Sequence, residues 1–294
     1  MSMTNPSDVQ NQIVKFWSDD FEQELREDTL LPSMVNKKYE GQIQKKGDTV
    51  YINQLNAPSG QTLTIGTDSD SFDTQPLSVQ RVSLQINKRF VAAYEFEDLM
   101  DIQTQIGKEK PEVFDALRFA IEKQLNDYLY SLLSPSSSAP DHLITSVTDL
   151  NTAQLSAVRI LAAQAKWSKK DGWFGLVDPV YYGDILDDTT IASKDFGADD
   201  APMINGQLAL KRFGFMIFED NSDGILTISD TDAQDCAVFF NKDFMHLAQG
   251  SARFLVSSLH ANKQFGYVLS VDKLGGAVLG NDGNVKHITV QNAA

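Results

Sequence analysis

The stretch GDTVYINQLNAPSGQTLTIGTDSDSFDTQPLSVQRVSLQINKRF, residues 47–90, sets two β-like arms around a long polar middle. In the first arm, Asp48 to Leu55, Val50 and Ile52 fall on one face of an extended chain. In the second, Leu77 to Ile86, Val82, Leu84 and Ile86 do the same at period two, the pattern of a half-buried strand. Between them, Asn56 to Pro76 holds Pro58, Gly60, Gly66, Asp68, Asp70 and Asp73 among Ser and Thr, the composition of turns and solvated loop. Connections in compact domains mostly run to about 4–6 residues, so a coreless middle of this length is either a floppy surface hairpin or a functional arm. An arm of this kind stays solvated in the isolated chain and becomes ordered when another molecule supplies a surface.

The remaining composition is that of a folded globular protein. The chain has 294 residues, 42% hydrophobic and 22% charged, enough for one large domain or two smaller ones. A single cysteine, Cys236, excludes an intramolecular disulfide, and the first ten residues lack a basic region followed by an apolar run. No stretch approaches the ~18 apolar residues of a membrane span, so a soluble protein made inside the cell is expected. The net charge of −15 argues against a surface built to grip nucleic acid. That charge is uneven: Lys37, Lys38, Lys45 and Lys46 precede the hairpin, and Arg81, Lys88 and Arg89 lie on its second arm. By contrast, Asp171 to Asp200 carries eight Asp against the single Lys194. Such a dipolar chain can meet its own copies head to flank, or the acidic part can be a solvated face.

Elsewhere, Ser7 or Asp8 caps a predicted amphipathic helix with Val9, Ile13, Phe16, Trp17, Phe21 and Leu25 on one stripe, ending before Pro32. The strongest helical signal runs from Pro111 to Leu133, with Val113, Phe114, Leu117, Ile121, Leu125, Tyr128, Leu129 and Leu132 inward. SPSSSAP, residues 134–140, then breaks the pattern. Asn151 or Thr152 opens another helix with Leu155, Val158, Leu161, Ala162 and Ala165 inward. Trp173 to Val177 reads as a buried strand, and Asp178-Pro179 caps a helix bearing Tyr182, Ile185 and Leu186. Residues 208–218, 237–240, 252–259 and 265–271 are further strand candidates, and NDGN, residues 281–284, predicts a hairpin turn before a strand at 287–290. There is no internal repeat.

The sequence carries little that suggests catalysis. His142, His246, His260 and His287 stand apart without a zinc-type partner, and Cys236, followed by Ala-Val-Phe-Phe, reads as a buried strand residue with no adjacent base. GGAVLG, residues 275–280, lacks the Lys-Ser/Thr of a phosphate loop and reads as a flexible turn between strands. DSDSFD, residues 68–73, has carboxylates at calcium-loop spacing but lacks the sixth-position Gly and has Val79 at the closing position. The neighbouring pairs Asp187-Asp188 and Asp199-Asp200 do not point into one cleft. No enzyme, cofactor or metal is expected.

This order of parts, over nearly the whole chain, resembles the major capsid (coat) proteins of tailed bacteriophages, with their Hong Kong 97-type fold. The phrases VNKKYEGQIQKKGDTVYI, FEDLMDIQTQ with FAIEKQLNDYLYSLL, and WFGLVDPVYYGDIL are similar to such proteins. The resemblance implies an α+β fold with an N-terminal arm at 1–46, an extended hairpin loop at 47–93 and a peripheral domain with a spine helix at 94–140. An α/β axial domain at 141–235 would follow, with C-terminal strands at 236–294 returning to both domains. It implies a structural protein of the virion, assembled in the host cytoplasm into an icosahedral shell around double-stranded DNA, with the hairpin lying over a neighbouring subunit. Its partners would be its own copies in pentameric and hexameric capsomers, a portal, a separate scaffolding protein, a capsid decoration protein and non-specifically held DNA, with no membrane.

Two departures limit the likeness. Residues 56–76 contain no Lys, so the covalent Lys–Asn links of some members are not expected. Only a short arm precedes the hairpin in this sequence, so scaffolding is expected from a separate protein or from a segment outside the sequence given. The candidate inter-subunit contacts are Lys45, Lys46, Asp68, Asp70, Asp73, Arg81, Lys88 and Arg89. A cellular encapsulin shell, an α/β enzyme with a loop-borne site, and an adhesin or tail component are the alternatives.

Overall fold

The computed structural model describes residues 26–40, 49–55, 58–63, 74–97, 111–133, 142–168, 172–188, 209–226, 228, 235–258, 266–280 and 287–292. The expected amphipathic helix before residue 26, the 134–140 break and the 281–284 turn lie outside them.

Both hairpin arms form. β1 (Thr49–Leu55) pairs antiparallel with β2 (Val79–Gln85), with Val50 opposite Leu84 and Ile52 opposite Val82. The period-two apolar residues therefore share one face, as their spacing predicts. Ile86 closes that face one residue beyond the ladder and is buried. After Asn87 the chain enters a different sheet as β3 (Lys88–Glu97), a strand the sequence reading did not separate from the hairpin.

β3 pairs with β11 (Gly266–Leu279) from Lys88 opposite Gly275 to Glu97 opposite Gly266. The other side of β11 takes β10 (Arg253–Ser258) along residues 267–272 and β9 (Met245–Gln249) along residues 275–279. Here the structure corrects the sequence reading twice. The 265–271 candidate is a 14-residue strand, and Gly275 and Gly276 lie inside it, not in a flexible turn. Gly276 is required by a crossing chain: a Cβ there would lie 2.0 Å from the Gln85 carbonyl oxygen.

After the short helix α1 (Leu31–Met34), the predicted long helix is α2 (Pro111–Ser131), roughly 32 Å long at 1.5 Å per residue. It lays Leu117, Ile121, Leu125 and Leu129 against Phe90, Leu269 and Val271 of this sheet, and Leu133 just past its end joins the same core.

A six-stranded sheet forms the rest, in the order β4-β12-β8-β5-β7-β6: His142–Ile144, His287–Gln291, Cys236–Asn241, Trp173–Val177, Phe215–Glu219 and Ala209–Arg212. Two predicted helices cover one face. α3 (Thr152–Gln164) begins at Asn151, whose side chain accepts from the N–H groups of Ala153 and Gln154, and it buries Leu155, Val158 and Ala162. α4 (Pro179–Asp187) begins at Asp178, whose carboxylate accepts from Tyr181 N–H, and it buries Tyr181, Tyr182 and Ile185. The opposite face, through Leu176, Val238 and Phe240, joins the core under α2. β5 and β8 are thus covered on both sides, which is why they read as unbroken apolar runs.

Two more corrections concern turns. Residues 208–218 do not make one strand: β6 and β7 form a hairpin around Phe213 (φ 53°) and Gly214 (φ 89°), two left-handed residues as a tight primed turn requires. β12 pairs with β4 and β8, not with β11, so no hairpin joins it to the preceding strand across 281–284.

Candidate assembly surface

The hairpin stands on a small core of its own. Ile52, Leu84, Ile86 and Ala248 bury one another, with Tyr39, Val50, Val82, Leu274 and Val278 around them. The segment before the hairpin straps this root to the sheet. Asn36 N–H donates to the Met245 carbonyl (3.0 Å), Leu247 N–H donates to the Asn36 carbonyl (2.9 Å), and Tyr39 meets the His246 ring edge-on at 5.3 Å. Burial, against a weaker pull from Asp243, lowers the His246 pKa and keeps the ring neutral.

Away from the root the hairpin loses its apolar cover. Tyr51, Leu55, Leu77 and Val79 are exposed, Leu77 to 75%. Arg81 sits over the Tyr51 ring at 5.1 Å and donates to Asn53 Oδ1 at 3.3 Å, stiffening the ladder from its outer face. Beyond the ladder, Ser59 N–H donates to Gln75 Oε1 (3.1 Å), and the Gln75 amide returns a bond to the Ser59 hydroxyl. The two arms therefore stay side by side where no apolar contact holds them.

Of the basic residues assigned by sequence to the second arm, Lys88 and Arg89 lie instead on β3, and both are engaged within the chain. Arg89 and Arg253 both grip Asp272, each at 2.9 Å, so one carboxylate ties β3, β11 and β10 together. Burial alone would raise the Asp272 pKa, but the two guanidiniums outweigh it and hold the carboxyl below the usual carboxylate range. Lys88 lies over the Tyr128 ring at 5.6 Å. Lys45, Lys46, Asp68, Asp70 and Asp73 lie outside the described residues.

Three of the Asp in the acidic stretch are local fasteners: Asp178 caps α4, Asp184 accepts from Leu150 N–H (3.1 Å) and Asp188 accepts from Thr152 N–H (2.8 Å). The solvated-face reading does not hold for these three. Asp178 is almost wholly buried, and desolvation pushes its pKa up to about 7, against the Tyr181 N–H bond and with help from Asp235.

Sequence reading missed two polar anchors. One is Asp272. The other is a buried bond in which the Tyr130 hydroxyl donates to Asp220, which ties α2 to the end of β7. Burial and then the Asp220 charge raise the Tyr130 pKa well above its ordinary value, so it stays a neutral donor. Tyr130 lies on the predicted helix, but only the fold brings Asp220 to it, 90 residues away.

Among the described residues no group of His, Cys, Asp and Glu is arranged to hold a metal ion, and no helix is long and apolar enough to cross a membrane. Cys236 and His287 are buried in the six-stranded sheet. His260 and the His142 side chain lie outside the described residues.

No family model and no curated protein matches the chain. Solved structures do. A chain from Mycobacterium phage Che8 is 17% identical at TM-score 0.71, covering 95% of this chain and 96% of that one. A chain of the cyanophage Pam1 capsid asymmetric unit is 14% identical at TM-score 0.71, covering 100% and 99%. A chain of the cyanophage P-SCSP1u capsid is 13% identical at TM-score 0.71, covering 97% and 94%. The likeness runs end to end at low identity, so it speaks for the fold: the chain has the Hong Kong 97-type fold of tailed-phage capsid subunits.

Proposed function

We propose that this chain is the structural major capsid protein of a tailed bacteriophage, which self-assembles into the icosahedral shell around the genome. The observation that carries the reading is the end-to-end match to phage capsid chains, 94–99% of their length, together with a hairpin that leaves the body with its apolar residues uncovered. A monomeric enzyme has no use for such an arm, whereas a shell of identical subunits gains contact area from it. The sheet, the spine helix and the strap at 26–40 form the rigid base, and the hairpin forms the reaching part. Assembly is the activity, and no chemical step is assigned to any residue.

Pentameric and hexameric capsomers, a portal, a separate scaffolding protein and a decoration protein complete the proposal. The net charge of −15 suits a container that holds DNA without gripping it. Negative-stain microscopy of the purified chain tests it. Closed shells or capsomer rings are expected, and discrete monomers under all assembly conditions would overturn the reading. Deleting residues 57–75 should leave a folded chain that makes no shells.

A further inference from the structure

Lys37, one of the basic residues that precede the hairpin, lines a small lobe of about 190 Å³ between the strap, α2 and the sheet. Glu122 of α2, Gln249 at the end of β9 and Lys273 of β11 share its wall. These four side chains come from four separate elements, and each is half-buried. The lobe's volume is several times the roughly 30 Å³ that one water occupies in the liquid, so a tetrahedral oxyanion fits.

The charges here do not neutralise one another. Among the described residues the ion pairs are those of Asp272 with Arg89 and Arg253 and of Lys123 with Glu27 and Asp223. Lys37 and Lys273 join none of them, yet they act on each other. Burial lowers the Lys273 pKa, Glu122 pulls it back up, and the Lys37 charge lowers it again, ahead of a weaker upward pull from Glu40. Two ammonium groups that repel each other across one small space favour an anion between them. Gln249 adds a requirement of another kind. Its Oε1 is buried and accepts no hydrogen bond from any described residue, a costly state until a donor reaches it. Sulfate offers acceptors alone. Hydrogen phosphate carries the same charge together with one O–H, so it satisfies both the cations and the amide oxygen.

We infer that this lobe is a binding site for inorganic hydrogen phosphate, held by Lys37 and Lys273 while its O–H donates to Gln249 Oε1. Glu122 serves to keep Lys273 protonated in its half-buried position. The bound ion would link the strap to β11 beside the hairpin root, since Lys37 lies between Asn36 and Tyr39, which pin that root to β9. The inference stands apart from the assembly reading: it concerns one chain, and a failure to form shells would leave it intact.

Titration calorimetry on the purified full chain tests it, with ionic strength held constant by sodium chloride. The titration runs at about pH 8, where a nucleoside monophosphate is a dianion without an O–H. Sodium phosphate should bind saturably with one ion per chain, about tenfold or more tighter than sulfate or the nucleoside monophosphate. Gln249→Met should bring phosphate down to the level of sulfate. Lys273→Met should abolish binding, and Lys37→Gln, on the strap, should weaken it by about tenfold and keeps the test open if Lys273→Met does not fold. Equal binding of phosphate and sulfate by the unmodified chain would overturn the role of Gln249 and with it the choice of ligand. Phosphate heats no larger than those of chloride, or phosphate binding unchanged in Lys37→Gln, would overturn the site.

Discussion

Gly276→Ala tests whether the hairpin is a rod set at a fixed angle. The added methyl would sit 2.0 Å from the Gln85 oxygen, 2.8 Å from the Gln85 carbonyl carbon and 3.0 Å from the Ile86 Cα, all of them backbone. No side chain can turn aside, so the end of β2 has to retreat by roughly 1 Å, an overpacking strain that typically costs about 1–3 kcal/mol. If that retreat is a tilt about a strand roughly 5 Å away, it amounts to about 0.2 rad and carries the far end of a ladder roughly 23 Å long by roughly 4–5 Å. Stability should therefore fall modestly while assembly falls steeply. Denaturant unfolding of the unassembled chain measures the first effect, and light scattering with microscopy measures the second. Gly183→Ala is the control: nothing lies within 4 Å of its added methyl, and alanine in helix α4 should gain about 0.5–1 kcal/mol with no effect on shells. A Gly276→Ala chain that loses stability as expected yet assembles at the unmodified rate would refute the lever. One that changes neither quantity would refute the crossing itself.

Three further outcomes are expected. Asp272→Asn removes the bridge between Arg89 and Arg253; both guanidiniums are more than half exposed, so the loss should be small, about 0.2–1 kcal/mol per pair, and should shrink in high salt. The folded state depresses the Asp272 pKa, so its contribution is present above the ordinary carboxylate value of about 3.9. The difference between variant and unmodified chain should vanish as pH falls below that value in urea titrations. Asp178 has the opposite sign: its folded pKa of about 7 lies above the unfolded value, so stability should decline as pH rises from about 4 to 7, by at most about 1.4 kcal/mol per pH unit. Asp178→Asn, which keeps the oxygen that accepts from Tyr181, should flatten that slope. Tyr130→Phe strands the buried Asp220 carboxylate oxygen and should cost about 1–3 kcal/mol, whereas Tyr128→Phe, on a half-buried hydroxyl, should cost less than about 1 kcal/mol in the same melts.

What the sequence determined by itself lies in signals carried within a few residues. Val50 and Ile52, then Val82, Leu84 and Ile86, give the period-two faces of β1 and β2; the stripe from Leu117 to Leu129 gives α2; Asn151 and Asp178-Pro179 mark two helix starts where the structure places them. Tertiary structure alone decided the rest, because those features join residues far apart in the chain. Arg89 and Asp272 are separated by 183 positions, and no local pattern tells an arginine awaiting a neighbour from one already paired. Gly276 looks like a turn residue until Gln85 is seen to cross it, and Phe213-Gly214 looks like mid-strand until β6 and β7 fold back on each other. β3 reads as the tail of the hairpin because its alternation continues that of β2. Only pairing with β11 gives it to another sheet, since period two fixes which face a side chain takes but leaves the choice of partner strand to the packing of the whole chain.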